Sequence, residues 1–189
     1  MKVLEFVINE NEEISGVQAI SLVEKPAIEK DFIALKNEQK EVKFTTASTE
    51  KRIVTGPALV PQKLIYRKGD SDSGEYYMYF TDETIEKASQ LYLKDMNQFN
   101  TTLEHETPVT DIYLVESWIK TSNEDKSTAL GIDVPNGTWM VSLKIDNDEV
   151  WNDYIKNGAV KGFSIEGLFS AKVDTPPTDM MQQIKQLLQ

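Results

Sequence analysis

The chain has 189 residues, 40% hydrophobic and 27% charged, which suits one ordinary globular domain with a real core. A formal net charge of -11 disfavours phosphate backbones, so no nucleic-acid partner is expected. Zero cysteines and one histidine exclude a disulfide framework, thiolate metal sites and a zinc site built on several histidines, and any imidazole chemistry must use His105.

No apolar run approaches the roughly 20 residues needed to cross a bilayer. The N-terminus "MKVLEFVINENEE" turns acidic too soon for a signal peptide. A cytoplasmic protein without membrane contact is the plain expectation. Val3 to Ile8 reads as a first strand, and "GVQAISLV" as a second, stopped by Pro26. "DFIAL" and "EVKFTT" are short strand candidates. "RIVTGPALVPQ" is apolar and β-branched, with Gly56-Pro57 marking a bend or bulge. "KLIY" and "YYMYF" read as a hairpin around "RKGDSDSGE".

Thr81 is placed to cap a helix from about Asp82 to Met96, with Ile85, Ala88 and Tyr92 on one face. "DIYLVESWIK" and "GTWMVSLKI" are strong strands joined by a polar loop. Asp146 and Glu149 read as a capping pair for the short helix "NDEVWNDYIKNG", ended by Asn157-Gly158. "AVKGFSIEGLFSAKV" reads as one strand through Val173. "DTPPT" breaks it, and "DMMQQIKQLLQ" follows as an amphipathic tail helix. The expected fold is α+β, a mainly antiparallel β-barrel with two or three flanking helices.

Ser164 lies in "GFSIEG". This is one residue longer than the nucleophile elbow of α/β-hydrolases, the strand pattern continues past it, and no histidine follows it in the chain, so that fold does not apply. Period two puts Phe163 and Ile165 on one face and Ser164 and Glu166 on the other. That pattern alone fits a solvated serine, and a nucleophile if a base reaches it. His105, in "NTTLEHETPV", ends a strand between Glu104 and Glu106, whose carboxylates can orient an imidazole. The same residues also fit an ordinary acidic loop. In "GDSDSGE", Asp70, Asp72 and Gly74 alternate, but the glycine and glutamate are out of register for a calcium loop, and a hairpin turn fits better. Trp118, Trp139 and Trp151 read as core anchors.

The order of "GPALVPQKLIYR", "YYMYF", "NTTLEHE", "YLVESWI", "GTWMVSLKI" and "VKGFSIEG" resembles the XkdF-like phage serine proteases, over roughly Val17 to Phe169. These are similar to the prohead (capsid maturation) proteases of tailed phages and to the herpesvirus assemblins. The resemblance implies a β-barrel core wrapped by helices, usually dimeric, with a serine nucleophile on Ser164 and a histidine base on His105. It implies a serine endopeptidase acting on phage scaffold and major capsid proteins and on itself, in the host cytoplasm inside the assembling procapsid, with no metal or cofactor. The break at Pro176-Pro177 divides the chain into a protease-like domain over 1–173 and a tail helix over 174–189. "AISLVEKPAI" looks like the strand that follows the serine in typical prohead proteases, here placed before the histidine as in a circular permutation. The third catalytic member belongs on that strand, where this chain carries Ala19 and Ser21. Glu116 and Glu166 are the substitute candidates. The alternatives are a catalytically inactive capsid-assembly or scaffold-binding protein, and a binding module unrelated to phages.

Overall fold

The computed structural model describes residues 2–26, 45–48, 51–68 and 74–172. The strand candidate "DFIAL", the first residues of "EVKFTT", Asp70, Asp72 and the tail from Val173 onward lie outside these residues.

Among the described residues, twelve strands form three four-stranded sheets. The first runs β12 (Ser170–Lys172), β1 (Lys2–Val7), β6 (Glu75–Tyr79), β5 (Ile65–Lys68). The second runs β3 (Thr45–Ser48), β4 (Ile53–Leu59), β10 (Trp139–Ile145), β9 (Ile112–Ile119). The third runs β11 (Gly162–Leu168), β2 (Gly16–Val23), β7 (Thr101–Leu103), β8 (Thr107–Val109). Among the described residues the expected barrel is not formed, because no sheet closes on itself. Nor is pairing uniformly antiparallel, since β1 pairs with β6 and β2 with β7 in parallel. The fold is mostly β with few helices, consistent with the α+β class.

Strand burial follows position. β2 has neighbours on both sides and both of its faces are covered, so nearly every residue of "GVQAISLV" is buried. β9 is an edge strand, and its polar residues stay half exposed. Helix α1 (Asp82–Lys94) begins at Thr81, whose Oγ1 accepts from the Thr84 N–H at 3.4 Å. Its Ile85, Ala88 and Tyr92 enter the main core with Ile20, Leu22, Val54 and Leu143. Tyr92 meets Trp139 edge-to-face at 5.5 Å. The bulge expected at Gly56-Pro57 falls there: Trp139 lies opposite Leu59 and Met140 opposite Pro57, leaving Ala58 unpaired.

Three sequence expectations are corrected. "AVKGFSIEGLFSAKV" is two strands in two sheets, divided at Phe169, whose ring packs on Phe80 at 4.9 Å. The helical turn at Val150–Ile155 is capped by Asn147, whose Oδ1 accepts from the Val150 N–H at 3.0 Å. Asp146 instead accepts from Lys144 and from the Tyr113 hydroxyl. The connection between β9 and β10 contains a short helix, α2 (Lys126–Ala129), capped by Asp125. This connection folds over the outer face of β10 and buries Ile132, Val134 and Met140 with Trp118 beside them. The buried Lys120 holds it, donating to the Val134 carbonyl at 2.8 Å. Trp139 and Trp151 are core residues, whereas Trp118 is only partly buried and donates to Asp125.

Candidate active site

The third sheet brings the sequence candidates together. Ser164 on β11 lies directly opposite Ser21 on β2, and Ser21 is in parallel register with Thr102 on β7. Residues opposite one another in a ladder point to the same face, so three hydroxyl side chains form one row across three strands. Phe163 and Ile165 take the other face of β11, toward the main core. Ser164 is 7% exposed, so the solvated serine that alternation suggested is instead nearly covered.

The glycines that bracket Ser164 serve close packing rather than a sharp nucleophile turn. A Cβ on Gly162 would stand 2.8 Å from Cγ of Pro26, and one on Gly167 would stand 2.4 Å from the Gly16 carbonyl oxygen. The register slips between Glu166 and Gly167, a bulge that skips Gln18 on β2 before pairing resumes at Gly167 and Val17.

His105 is the middle residue of the three-residue connection, residues 104–106, that joins β7 to β8. Glu104 (φ 52°) and His105 (φ 62°) are both left-handed, and the Glu106 N–H donates to the Leu103 carbonyl at 3.0 Å. Tight hairpins need that backbone twist and usually place Asn or Gly in it. Here two ordinary side chains occupy it and are fastened individually. The Glu104 N–H donates to the Leu22 carbonyl at 3.0 Å, and the Glu104 carboxylate accepts from the Glu24 N–H at 2.6 Å. The His105 N–H donates to Ser21 Oγ at 2.9 Å, and that hydroxyl lies 3.4 Å from the Thr102 carbonyl oxygen, its acceptor.

The His105 ring leans back over β2. Its Nδ1 is 3.3 Å from Oε1 of Glu166 on β11, and the same carboxylate oxygen accepts from the Thr102 hydroxyl. Ser164 and Glu166 are two residues apart on one strand face, so their Cα atoms are about 7 Å apart. The imidazole thus meets a carboxylate on the strand face that also carries Ser164. Among the described residues no hydrogen bond joins the Ser164 hydroxyl to the ring. A carboxylate at Nδ1 favours the tautomer with its proton there, which leaves Nε2 as an acceptor.

Glu116 is placed differently. It lies on β9, in the second sheet, where it accepts from the Ser142 hydroxyl at 2.6 Å and pairs with Lys126. Ser142 Oγ is 2.9 Å from Thr55 Oγ1. The Lys126 ammonium, and after it the Ser142 hydroxyl, hold the Glu116 carboxyl below its ordinary range. Neither His105 nor Ser164 is among its partners. Of the two substitute acids, Glu166 is the one beside the histidine.

Thr102 and the anchoring role of Glu104 were not singled out from the sequence. Alternation does place Thr102 opposite the buried Leu103, but which carboxylate it meets depends on the parallel pairing of β2 with β7, sequence neighbours of neither. Beside Ser164 lies a cavity of about 30 Å³, walled by Phe163 and Ile165, by Ala58 to Val60, by Met78 and Phe80, and by Lys63 and Arg67. Among the described residues no cluster of His, Asp or Glu could hold a metal ion.

Comparison with known proteins bears on the same segment. No curated protein and no solved structure matches the chain. One family model, described as "Putative phage serine protease XkdF", matches residues 41–173, which include His105, Ser164 and Glu166. With most of its length matched, the chain belongs to the XkdF phage serine protease family.

Proposed function

We propose that the protein is a serine endopeptidase in which Ser164 attacks the scissile carbonyl and His105 takes its proton. In this reading Glu166 orients the imidazole through Nδ1, and His105 later returns the proton to the leaving amine. The observation that carries the reading is the contact of 3.3 Å between the chain's one histidine and a carboxylate two residues from Ser164 on the same strand face. The family match supports the reaction class.

The biological role follows the resemblance: maturation of a phage prohead in the host cytoplasm, by cleavage of scaffold and major capsid proteins and of the protease itself, as a homodimer. An assemblin-like relationship is part of the proposal. Its support is the place of β2, which precedes the histidine in sequence yet lies in space between the serine and histidine strands, as a circular permutation would require.

Co-expression with the scaffold and capsid proteins of the same phage tests the reading. Ser164→Ala should abolish their processing with the melting temperature within a few degrees of the parent, because an oxygen without a strong partner contributes little to folding. Processing that continues in the variant would overturn the assignment. The second reading, an inactive capsid-assembly protein, draws on the lack of a hydrogen bond between Ser164 and His105. It predicts that neither the parent nor the variant cleaves anything while both enter procapsids.

A further inference from the structure

One oxygen of the Glu166 carboxylate has two partners, and both come from the same hairpin. Oε1 lies 3.3 Å from Nδ1 of His105 and accepts from the hydroxyl of Thr102, earlier on the same hairpin. Among the described residues these are the polar groups that meet Glu166. The carboxylate is one-third exposed, so water competes for it, and holding so long a side chain in one rotamer costs entropy. The Thr102 hydroxyl opposes both effects. Thr102 is β-branched, which restricts its χ1, and its main chain is fastened: its carbonyl accepts from the Ser21 hydroxyl at 3.4 Å. That same hydroxyl accepts from the His105 N–H at 2.9 Å. Ser21 thus anchors the backbone of both residues that face Glu166.

The carboxylate reaches Thr102 across β2. Glu166 stands on β11 and Thr102 on β7, with β2 between them. In register on β2 are Ala19, opposite Glu166, and Ser21, beside Thr102. Both side chains are small and leave the crossing open. We infer that Thr102 is a positioning residue of the Ser164 centre, acting through Glu166: its hydroxyl fixes Oε1 at Nδ1 of His105 and so sets the tautomer that leaves Nε2 as the acceptor. Its effect on turnover rests on the protease reading. Its effect on the ring does not.

The chain has one histidine, so every imidazole signal belongs to His105. Nitrogen-15 spectra of the full chain in mildly alkaline buffer, where the ring is neutral, report which nitrogen carries the proton. The parent should carry it at Nδ1. Thr102→Val removes the hydroxyl and keeps the shape, and its signals should move toward those of Glu166→Ala. Thr102→Ala should do the same, which guards against a packing effect of the added methyl, and Thr102→Ser should keep the parent pattern. With scaffold and capsid proteins of the same phage as substrates, Thr102→Val should lower kcat about tenfold with KM within about twofold, as the loss of one charge-assisted hydrogen bond entails. Thr102→Ser should restore most of that loss. A parent ring protonated at Nε2, parent-like signals in Thr102→Val and Thr102→Ala, or parent-like turnover in both would overturn the inference. Cleavage that survives Ser164→Ala would instead remove the protease reading and the turnover role with it, whereas the imidazole signals judge the hold of Thr102 on Glu166 on their own.

Discussion

His105 occupies a backbone conformation that costs an ordinary residue roughly 1–2 kcal/mol, in a turn whose other central residue, Glu104, is left-handed as well. A turn under structural selection alone would carry Asn or Gly, so the strain is held by the Ser21 and Glu104 hydrogen bonds in exchange for the position of the ring. His105→Asn should therefore abolish proteolysis while leaving stability unchanged or raising it by up to about 1 kcal/mol, read by denaturant unfolding against capsid-protein cleavage. A clear loss of stability would mean that the ring's contact with Glu166 outweighs the backbone strain and that His105 is a structural residue. The two acids separate at the same scale. Glu166→Gln should cost roughly 10²-fold or more in turnover with the fold intact, because the amide cannot support an imidazolium at Nδ1. Glu116→Gln should leave turnover near the parent value, since its partners Ser142 and Lys126 lie in another sheet. Equal losses in the two variants would show that Glu166 acts through folding rather than through His105. Alternation along the strand made the shared face of Ser164 and Glu166 readable in the sequence, and the structure keeps it. Which of Glu166 and Glu116 stands beside His105 was not readable, because it depends on which strand lies across from which.

Elements were legible where their own residues decide them. β2 and α1 match the expected segments closely, because period and capping chemistry are local. The elements misread are those settled by tertiary partners. "GFSIEGLFSAK" keeps one apolar rhythm throughout, but the close approach of Gly167 to Gly16 and the burial of Phe169 against Phe80 turn the chain into a different sheet. Asp146 has the chemistry of a cap and spends it on Tyr113 and Lys144, leaving the cap to Asn147. β9 supports a prediction of its own. The Glu116 carboxyl is held below its ordinary range, chiefly by Lys126. A depressed folded-state pKa adds stability that is present above the unfolded-state value and is lost as pH falls through the folded one. The parent should thus exceed Glu116→Gln in stability at neutral pH, by less than about 1 kcal/mol because the pair is nearly half exposed. The difference should vanish on acidification below the ordinary carboxylate range. A gap that persists at acid pH would assign it to packing instead of charge.

At the scale of the molecule, three sheets share one core, and the topology that joins them crosses the whole chain: β1 pairs with β12, and β2 lies between β11 and β7. Such nonlocal closure is what a sequence read segment by segment cannot supply, and it explains why a barrel was expected where separate sheets occur. The same closure bears on the tail. The last described strand, β12, ends at Lys172, opposite Glu5, with β1 already paired to β6 on its other side. Among the described residues, β1 thus has a partner on each side before "DTPPT" begins. The tail that follows carries Met180, Met181, Ile184, Leu187 and Leu188 at helical spacing, an apolar stripe that needs a covering surface. Removal of residues 174–189 should leave the β-rich domain folded, with a melting temperature within a few degrees of the parent. Self-association, measured by analytical ultracentrifugation, or incorporation into procapsids should change, as a docking or scaffold-linking helix requires. If the truncated chain fails to fold, the stripe belongs to the domain's own core and the boundary at Val173 is wrong. If it folds and both association and incorporation are unchanged, the helix serves neither contact, and the tail's proposed link to a second copy or to scaffold falls.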